Sequence, residues 1–212
     1  MFSEQASKVM IKKTEKPFAP ACERNQQVIL EVIKQYLRSE DKKILEVGSG
    51  TGQHAVYMAK HLPHVLWQPS DVLANHQGIN LWRQEAGLNN VAEPLVYEIG
   101  KNHLPEAQAD VIFTANTLHI MSLKLVNVFL KEVGENLKPG GRLLIYGPFK
   151  YKGQFTTDSN AEFDLWLKNI DSNRGIRDYE HICEKLKGYN IHNIADISMP
   201  ANNQFLLFEK HD

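Results

Sequence analysis

The feature that most constrains this 212-residue chain is a short apolar run, Lys43-Ile-Leu-Glu-Val47, that passes directly into Gly48-Ser-Gly-Thr-Gly52. The run is long enough for a buried strand and too short for a helix. Beyond the glycines, Ala55, Val56, Ala59 and Leu62 recur at helical spacing. A strand, a glycine turn and a helix in that order build a site. Glycine lets the backbone come close to a ligand, and the start of the helix offers unpaired N–H groups.

The alternation continues on both sides of this unit. Val28, Ile29, Val32, Ile33, Tyr36 and Leu37 give a first helix one apolar face. Residues 65–67, 95–97, 110–114 and 142–146 read as further strands, and a helix is expected over 73–86. Leu123, Val126, Phe129 or Leu130, Val133 and Leu137 step by three and four, which predicts another helix. Lys138-Pro-Gly-Gly141 stops it. Residues 148–177 are polar and irregular apart from a helix across 161–170; the aromatics of this segment suggest a compact apolar acceptor, while Phe163 and Trp166, three apart, fit a packed helix face. A helix over 178–186 then leads to strands near 191–197 and 204–209.

Strands alternating with helices imply a mostly parallel sheet covered on both faces. The last two strands have too short a connection for a parallel crossover and must run antiparallel. The expectation is an α/β, Rossmann-like domain over residues 1–212 with a seven-stranded sheet. Residues 1–25 are expected as an amino-terminal leader or lid, and residues 148–177 as a lid or acceptor-recognition insertion.

Bulk composition narrows the function. Net charge is −1, so the balance offers no basic face to replace the counterions of a nucleic acid. The cluster Lys8, Lys12, Lys13 and Lys16 reads as a solvated tail. Cys22 and Cys183 have no zinc-ligand spacing, and no metal is expected. Neither a signal peptide nor an apolar run approaching the roughly 18–20 residues of a membrane span is present. These features predict a cytoplasmic protein, monomeric or homodimeric, that does not engage a membrane.

The spacing of the glycines separates cofactors. Dinucleotide sites favour G-x-G-x-x-G, whereas here Gln53 stands where the third glycine belongs. The Gly-Lys-Ser/Thr ending of a phosphate loop is also absent. Glu46 places a carboxylate inside an apolar strand, which is costly unless it is paired or faces a ligand such as an ammonium group. Asp71 follows the second strand. It is placed either to accept from both hydroxyls of a ribose or to cap the next helix.

Glu46-Val-Gly-Ser-Gly-Thr-Gly52 resembles motif I of class I S-adenosylmethionine (SAM)-dependent methyltransferases. Leu137-Lys-Pro-Gly-Gly-Arg-Leu-Leu-Ile145 resembles their segment entering the fifth strand, and the spacing of Asp71 matches. More narrowly, Pro20-Ala-Cys-Glu-Arg-Asn25, Trp67-Gln-Pro-Ser-Asp71 and Asn116-Thr-Leu-His119 resemble a family of uncharacterised proteins that includes methyltransferase-like protein 26. The resemblance implies strand order 3-2-1-4-5-7-6, with strand 7 antiparallel. It also implies SAM as cofactor and S-adenosylhomocysteine as product. After the third strand, Glu98-Ile99 is the nearest match to the acid and apolar pair that relatives place beside adenine.

The candidate cofactor-binding residues are Arg24, Glu46, Gly48, Ser49, Gly50, Thr51, Gly52, His54, Asp71, Asn116 and Leu118. His119 and Tyr146 are the candidate catalytic pair, His119 being either a general base or a hydrogen-bonded wall residue. Asn116-Thr-Leu-His119 lacks the prolines of the amine-methylating nucleic-acid enzymes, which favours a small-molecule acceptor. Arg174 and Arg177 either bind an acidic acceptor or form surface pairs. The function expected is methyl transfer. The alternative is a non-catalytic sensor or scaffold that binds SAM or its product; a nicotinamide oxidoreductase is disfavoured by Gln53.

Overall fold

A computed structural model of the chain describes residues 15–105 and 109–212. In chain order the elements are α1 (Pro20–Tyr36), β1 (Lys43–Val47), α2 (Gln53–His61), β2 (Leu66–Asp71), α3 (His76–Ala86), β3 (Leu95–Val96) and β4 (Val111–Ala115). They continue as α4 (Leu123–Asn136), β5 (Arg142–Gly147), β6 (Phe149–Tyr151), β7 (Gln154–Phe155) and α5 (Asp158–Ile170). The last are β8 (Arg177–Asp178), α6 (Tyr179–Lys187), β9 (Ile191–Met199) and β10 (Asn203–Lys210).

Seven strands form one sheet in the order β3-β2-β1-β4-β5-β10-β9. β1 pairs in parallel with both β2 and β4, and β10 runs antiparallel to β5 and β9. Because three short strands precede the closing hairpin, its strands are β9 and β10 here, against 6 and 7 in the expected order. The alternation of side chains assigns each strand to two cores. Leu45, Ile112, Leu143, Ile145 and Phe208 pack toward Val126, Phe129 and Leu130 of α4 and Ile182 of α6. Ile44, Phe113, Leu144, Tyr146 and Phe205 face Ile29 and Ile33 of α1 and Ala55 and Met58 of α2 on the other side.

Local chemistry sets the helix boundaries. Pro20 occupies the first turn of α1, where its missing N–H costs nothing. The side chains of Ser122 and Thr157 cap α4 and α5 by accepting from the Leu125 and Asn160 N–H groups.

Several expectations need correction. α1 begins inside the segment read as a leader, so residues 20–25 are its first turns. Lys8, Lys12 and Lys13 lie outside the described residues. Lys16 is not a solvated tail residue, because it pairs with Glu85 and sits 3.6 Å from the Trp82 ring centre. The helix expected over 73–86 is divided, a tight turn at Leu73–Asn75 preceding α3. Residues 148–177 are more ordered than their composition suggested. They hold β6, β7 and α5, and β6 joins β7 and β8 in a second, three-stranded sheet. Strands of two or three residues carry too little periodicity to be recognised.

One buried ion pair fastens α1 to the sheet. The Arg142 guanidinium at the start of β5 bonds the Asp41 carboxylate and the Tyr36 carbonyl. Both charged side chains are almost wholly enclosed. Removing one partner strands the other charge away from water. Asp41→Ala is therefore expected to lower stability by about 3–5 kcal/mol in urea unfolding. A loss below about 1 kcal/mol would show that the guanidinium finds water.

Candidate active site

The strand order reverses at β1, where β2 and β3 lie to one side and β4 and β5 to the other. Crevices for ligands open beyond the carboxyl ends of strands at such a point. Here the loops after β1, β2 and β4 converge. The N–H groups of Gly48 and Ser49 donate to the Ser70 carbonyl at 3.0 and 3.1 Å, and Gly50 N–H donates to Asp71 Oδ2 at 2.6 Å. Asp71 Oδ1 accepts from Val72 N–H and from Asn75 Nδ2 at 2.7 and 2.9 Å. No side-chain cap is made at the turn that follows, so the capping alternative for Asp71 is excluded.

Two glycines are fixed by close approach. Gly48 has φ +75°, and a Cβ there would lie 2.7 Å from Thr117 Oγ1. Gly52 has φ +89°, and a Cβ would lie 2.8 Å from the Ile79 Cα in α3. Gly52 thus serves the packing of α2 on α3 and does not line the cavity that the loop borders.

That cavity has a volume of about 470 Å³. Of the candidate residues, Gly48, Ser49, Gly50, Thr51, His54, Asp71 and Asn116 line it. Glu98 and Ile99 line it as well, together with the apolar Val72 and Leu125. A second cavity of about 930 Å³ lies beyond Asn116. Arg24, His119 and Tyr146 line this one, so Arg24 falls on the far side from the glycine loop. The cavities share Ala21 and Asn116. Asn116 has φ +58°, a conformation that asparagine tolerates better than most residues.

The start of α1 is the partition. Ala21, Arg24, Asn25 and Val28, on one helical face, line the second cavity, whereas Ala19 and Cys22 line the first. A polar relay crosses it: His54 Nε2 donates to Asn25 Oδ1 at 2.7 Å, and the Asn25 side chain also bonds Tyr146. Burial lowers the His54 pKa to about 4 and raises that of Tyr146, so both are neutral near pH 7. His119 is likewise lowered to about 4, first by burial and then by the charges of Arg177 and Arg174.

Further expectations fail at this level. Glu46 and Leu118 line neither cavity. Glu46 needs no ligand ammonium to explain it, because its Oε2 accepts from the Trp67 indole N–H at 2.9 Å. Leu118 is core. Phe163 and Trp166 are not a packed helix face: both line the second cavity and their rings stack, with Trp166 56% exposed. Arg177 is spent on the carbonyls of Leu118, Met121 and Asn173, which hold the loop carrying His119. Sequence reasoning missed Cys22, whose thiol is pushed up to about 11 by burial and the Glu46 charge. Its place within the helix start Pro20-Ala-Cys-Glu-Arg-Asn25 was the available signal. Among the described residues no group of three metal-ligating side chains converges, and no helix is long and apolar enough to cross a membrane.

Sheet order, glycine loop and cavity together define the fold of the class I SAM-dependent methyltransferases. Human N-acetylserotonin methyltransferase, solved in complex with SAM, matches with a TM-score of 0.74 at 17% identity, over 91% of this chain and 53% of that one. Within that fold the chain belongs to the family described as "Protein of unknown function (DUF938)", whose model matches residues 16–210. In sequence it is similar to the bacteriochlorophyllide d C-20 methyltransferase of Chlorobaculum tepidum, 30% identical over 107 residues, 49% of this chain and 30% of that protein. It is 33% identical over 139 residues to the ribosomal protein L11 methyltransferase of Wolinella succinogenes, 62% of this chain and 47% of that protein. The chain spans less than half the length of these two relatives.

The Glu46 carboxyl, raised to about 7 chiefly by burial, makes a checkable signature. Between the ordinary glutamate value and about 7 the folded chain holds a proton that the unfolded chain has lost, so stability falls as pH rises through that window. Glu46→Gln removes the titration and leaves an acceptor for Trp67. Relative to wild type, the variant is expected to gain about 2–3 kcal/mol in urea unfolding on going from pH 4.5 to pH 8. A pH-independent difference would mean that Glu46 ionises freely in the fold.

Proposed function

We propose that this chain is a SAM-dependent methyltransferase of the cytoplasm, with the first cavity for the cofactor and the second for a small-molecule acceptor. The junction of the two cavities at Asn116 carries the reading. A sensor that only binds the nucleoside has no use for a second cavity of about 930 Å³ whose lining shares Ala21 and Asn116 with the first. The closer resemblance of three segments to a methyltransferase-like family supports the same reading.

The first cavity fits the cofactor in size and donor set. Its volume is within the ~300–1,000 Å³ usual for small-molecule sites. Asp71 would take the ribose hydroxyls, with Val72, Ile99 and Leu125 against the flat base and Glu98 at its polar edge. When bound, SAM supplies an electrophilic methyl whose carbon–sulfur electron pair passes to sulfur as the acceptor's lone pair takes the carbon.

The chain's residues then have limited tasks: to align the acceptor, exclude water and accept a proton. Asn116, at the junction, is placed to orient the attacking group. His119 is the candidate proton acceptor. Its imidazole is neutral near pH 7 but weakly basic, so it suits a proton released as the new bond forms, when the acceptor atom has become strongly acidic. Tyr146 is held by Asn25 and shapes the wall.

Calorimetric titration with SAM, S-adenosylhomocysteine and NAD tests the cofactor. Both sulfur nucleosides are expected to saturate the wild type, with NAD giving no heat. Asp71→Ala removes the ribose acceptor and frees the Gly50 N–H, and is expected to weaken binding at least 30-fold without unfolding the chain. A well-folded wild type that binds neither sulfur nucleoside would remove the proposal's foundation.

A further inference from the structure

The second cavity has a chemical bias of its own. Among the described residues its lining includes one side chain with a full charge, Arg24, and no carboxylate. Arg24 lies exposed on the cavity face of α1 and makes no ion pair or hydrogen bond among the described residues. A guanidinium left without a partner beside a concave site is a ready fork for a carboxylate or another planar anion. Near His119, Arg174 and Arg177 lie close enough to disfavour its protonation, and the buried Asp164 carboxylate close to Arg177 is paired with Lys168.

The rest of the wall recognises a flat body. Phe163 and Trp166 stack with ring centres 5.6 Å apart and planes 16° from parallel, and His119 meets the edge of that stack 5.4 Å from Phe163. An exposed indole on a helix surface costs solvation unless something covers it, and a ligand ring gains most by lying on such a shelf. The other amides of the wall are already engaged. Asn160 donates to Thr156 Oγ1 and the Asn202 carbonyl, and Asn203 donates to the Pro200 and Ala201 carbonyls. The Asn116 side-chain amide and the His119 ring nitrogens make no hydrogen bond among the described residues. They remain for the ligand's polar substituent beside the first cavity.

We propose that the acceptor is a planar, aromatic monoanion, its acid group on Arg24, its ring on the Phe163–Trp166 shelf and its methyl-accepting atom toward Asn116. The proposal rests on the methyltransferase reading, and it reassigns Arg24 from the cofactor to the acceptor. A cationic acceptor is disfavoured because the wall has no carboxylate to receive it. The cavity's volume leaves room for more than one ring.

The test uses the full chain saturated with S-adenosylhomocysteine. The probes are a hydroxynaphthoate, the matching carboxamide and the matching aminomethyl naphthol, titrated calorimetrically. The acid is expected to bind at least tenfold more tightly than the amide, and the amine more weakly than either. Arg24→Gln is expected to cost the acid about tenfold while the amide and S-adenosylhomocysteine change less than twofold. Trp166→Ala is expected to weaken acid and amide by the same factor. Equal binding of acid and amide, no binding of any probe, or a loss of S-adenosylhomocysteine affinity in Arg24→Gln would overturn the proposal. Failure of the wild type to bind S-adenosylhomocysteine would instead fell the methyltransferase reading, and the acceptor assignment with it.

Discussion

The hydrogen bond from Gly50 N–H to the Asp71 carboxylate joins the ends of two neighbouring strands, and the site is arranged around it. A carboxylate that accepts from a backbone N–H is fixed in direction. It holds the glycine loop to the end of β2, with Gly50 and Asp71 both bordering the cavity. The other oxygen of Asp71 organises Val72 and Asn75 by the same means. One acid thus shapes the cavity and lines it. The loop has little freedom to drift, because Gly48 lies against Thr117 and Gly52 against the backbone of α3.

The parts of the fold that were legible in the sequence are those with long-range regularity. β1, β4 and β5 are buried on both faces and therefore read as short apolar runs. α4 shows its core stripe because its other face is solvated. Where regularity is short the sequence is silent. β6, β7 and β8 have no more than three residues each, and their pairing joins Phe149 to Arg177 across α5. Nothing local encodes that contact.

The same distinction runs through the site. The glycines and Asp71 announce themselves because backbone geometry and spacing demand particular residue types. Glu46 announces itself falsely. A charge in an apolar strand signals a partner, but the partner is Trp67, one strand over and on the same face of the sheet. Sequence spacing cannot tell an indole N–H from a ligand's ammonium as the group that satisfies a buried carboxylate. His119 and Tyr146 lie on the elements expected of them, and what the sequence lacked was their surroundings. The His119 pKa is lowered first by burial and then by two arginines more than fifty residues away.

Those arginines connect order to chemistry. Arg177 donates to the carbonyls of Leu118, Met121 and Asn173, and the Gly175 N–H donates to the His119 carbonyl at 3.0 Å. The segment between α5 and α6 therefore fixes the loop on which His119 stands, while α5 supplies the aromatic shelf facing it. A cation half-buried behind a neutral imidazole lowers the affinity of that imidazole for a proton without touching a ligand. An enzyme that methylates before its acceptor loses a proton needs only this weak acceptor, because the bond being formed drives the proton out. A stronger base would be protonated in part at neutral pH, adding a positive charge beside a sulfonium cofactor. Keeping His119 neutral avoids that repulsion, which makes the buried arginine part of the proposed site as well as part of the frame.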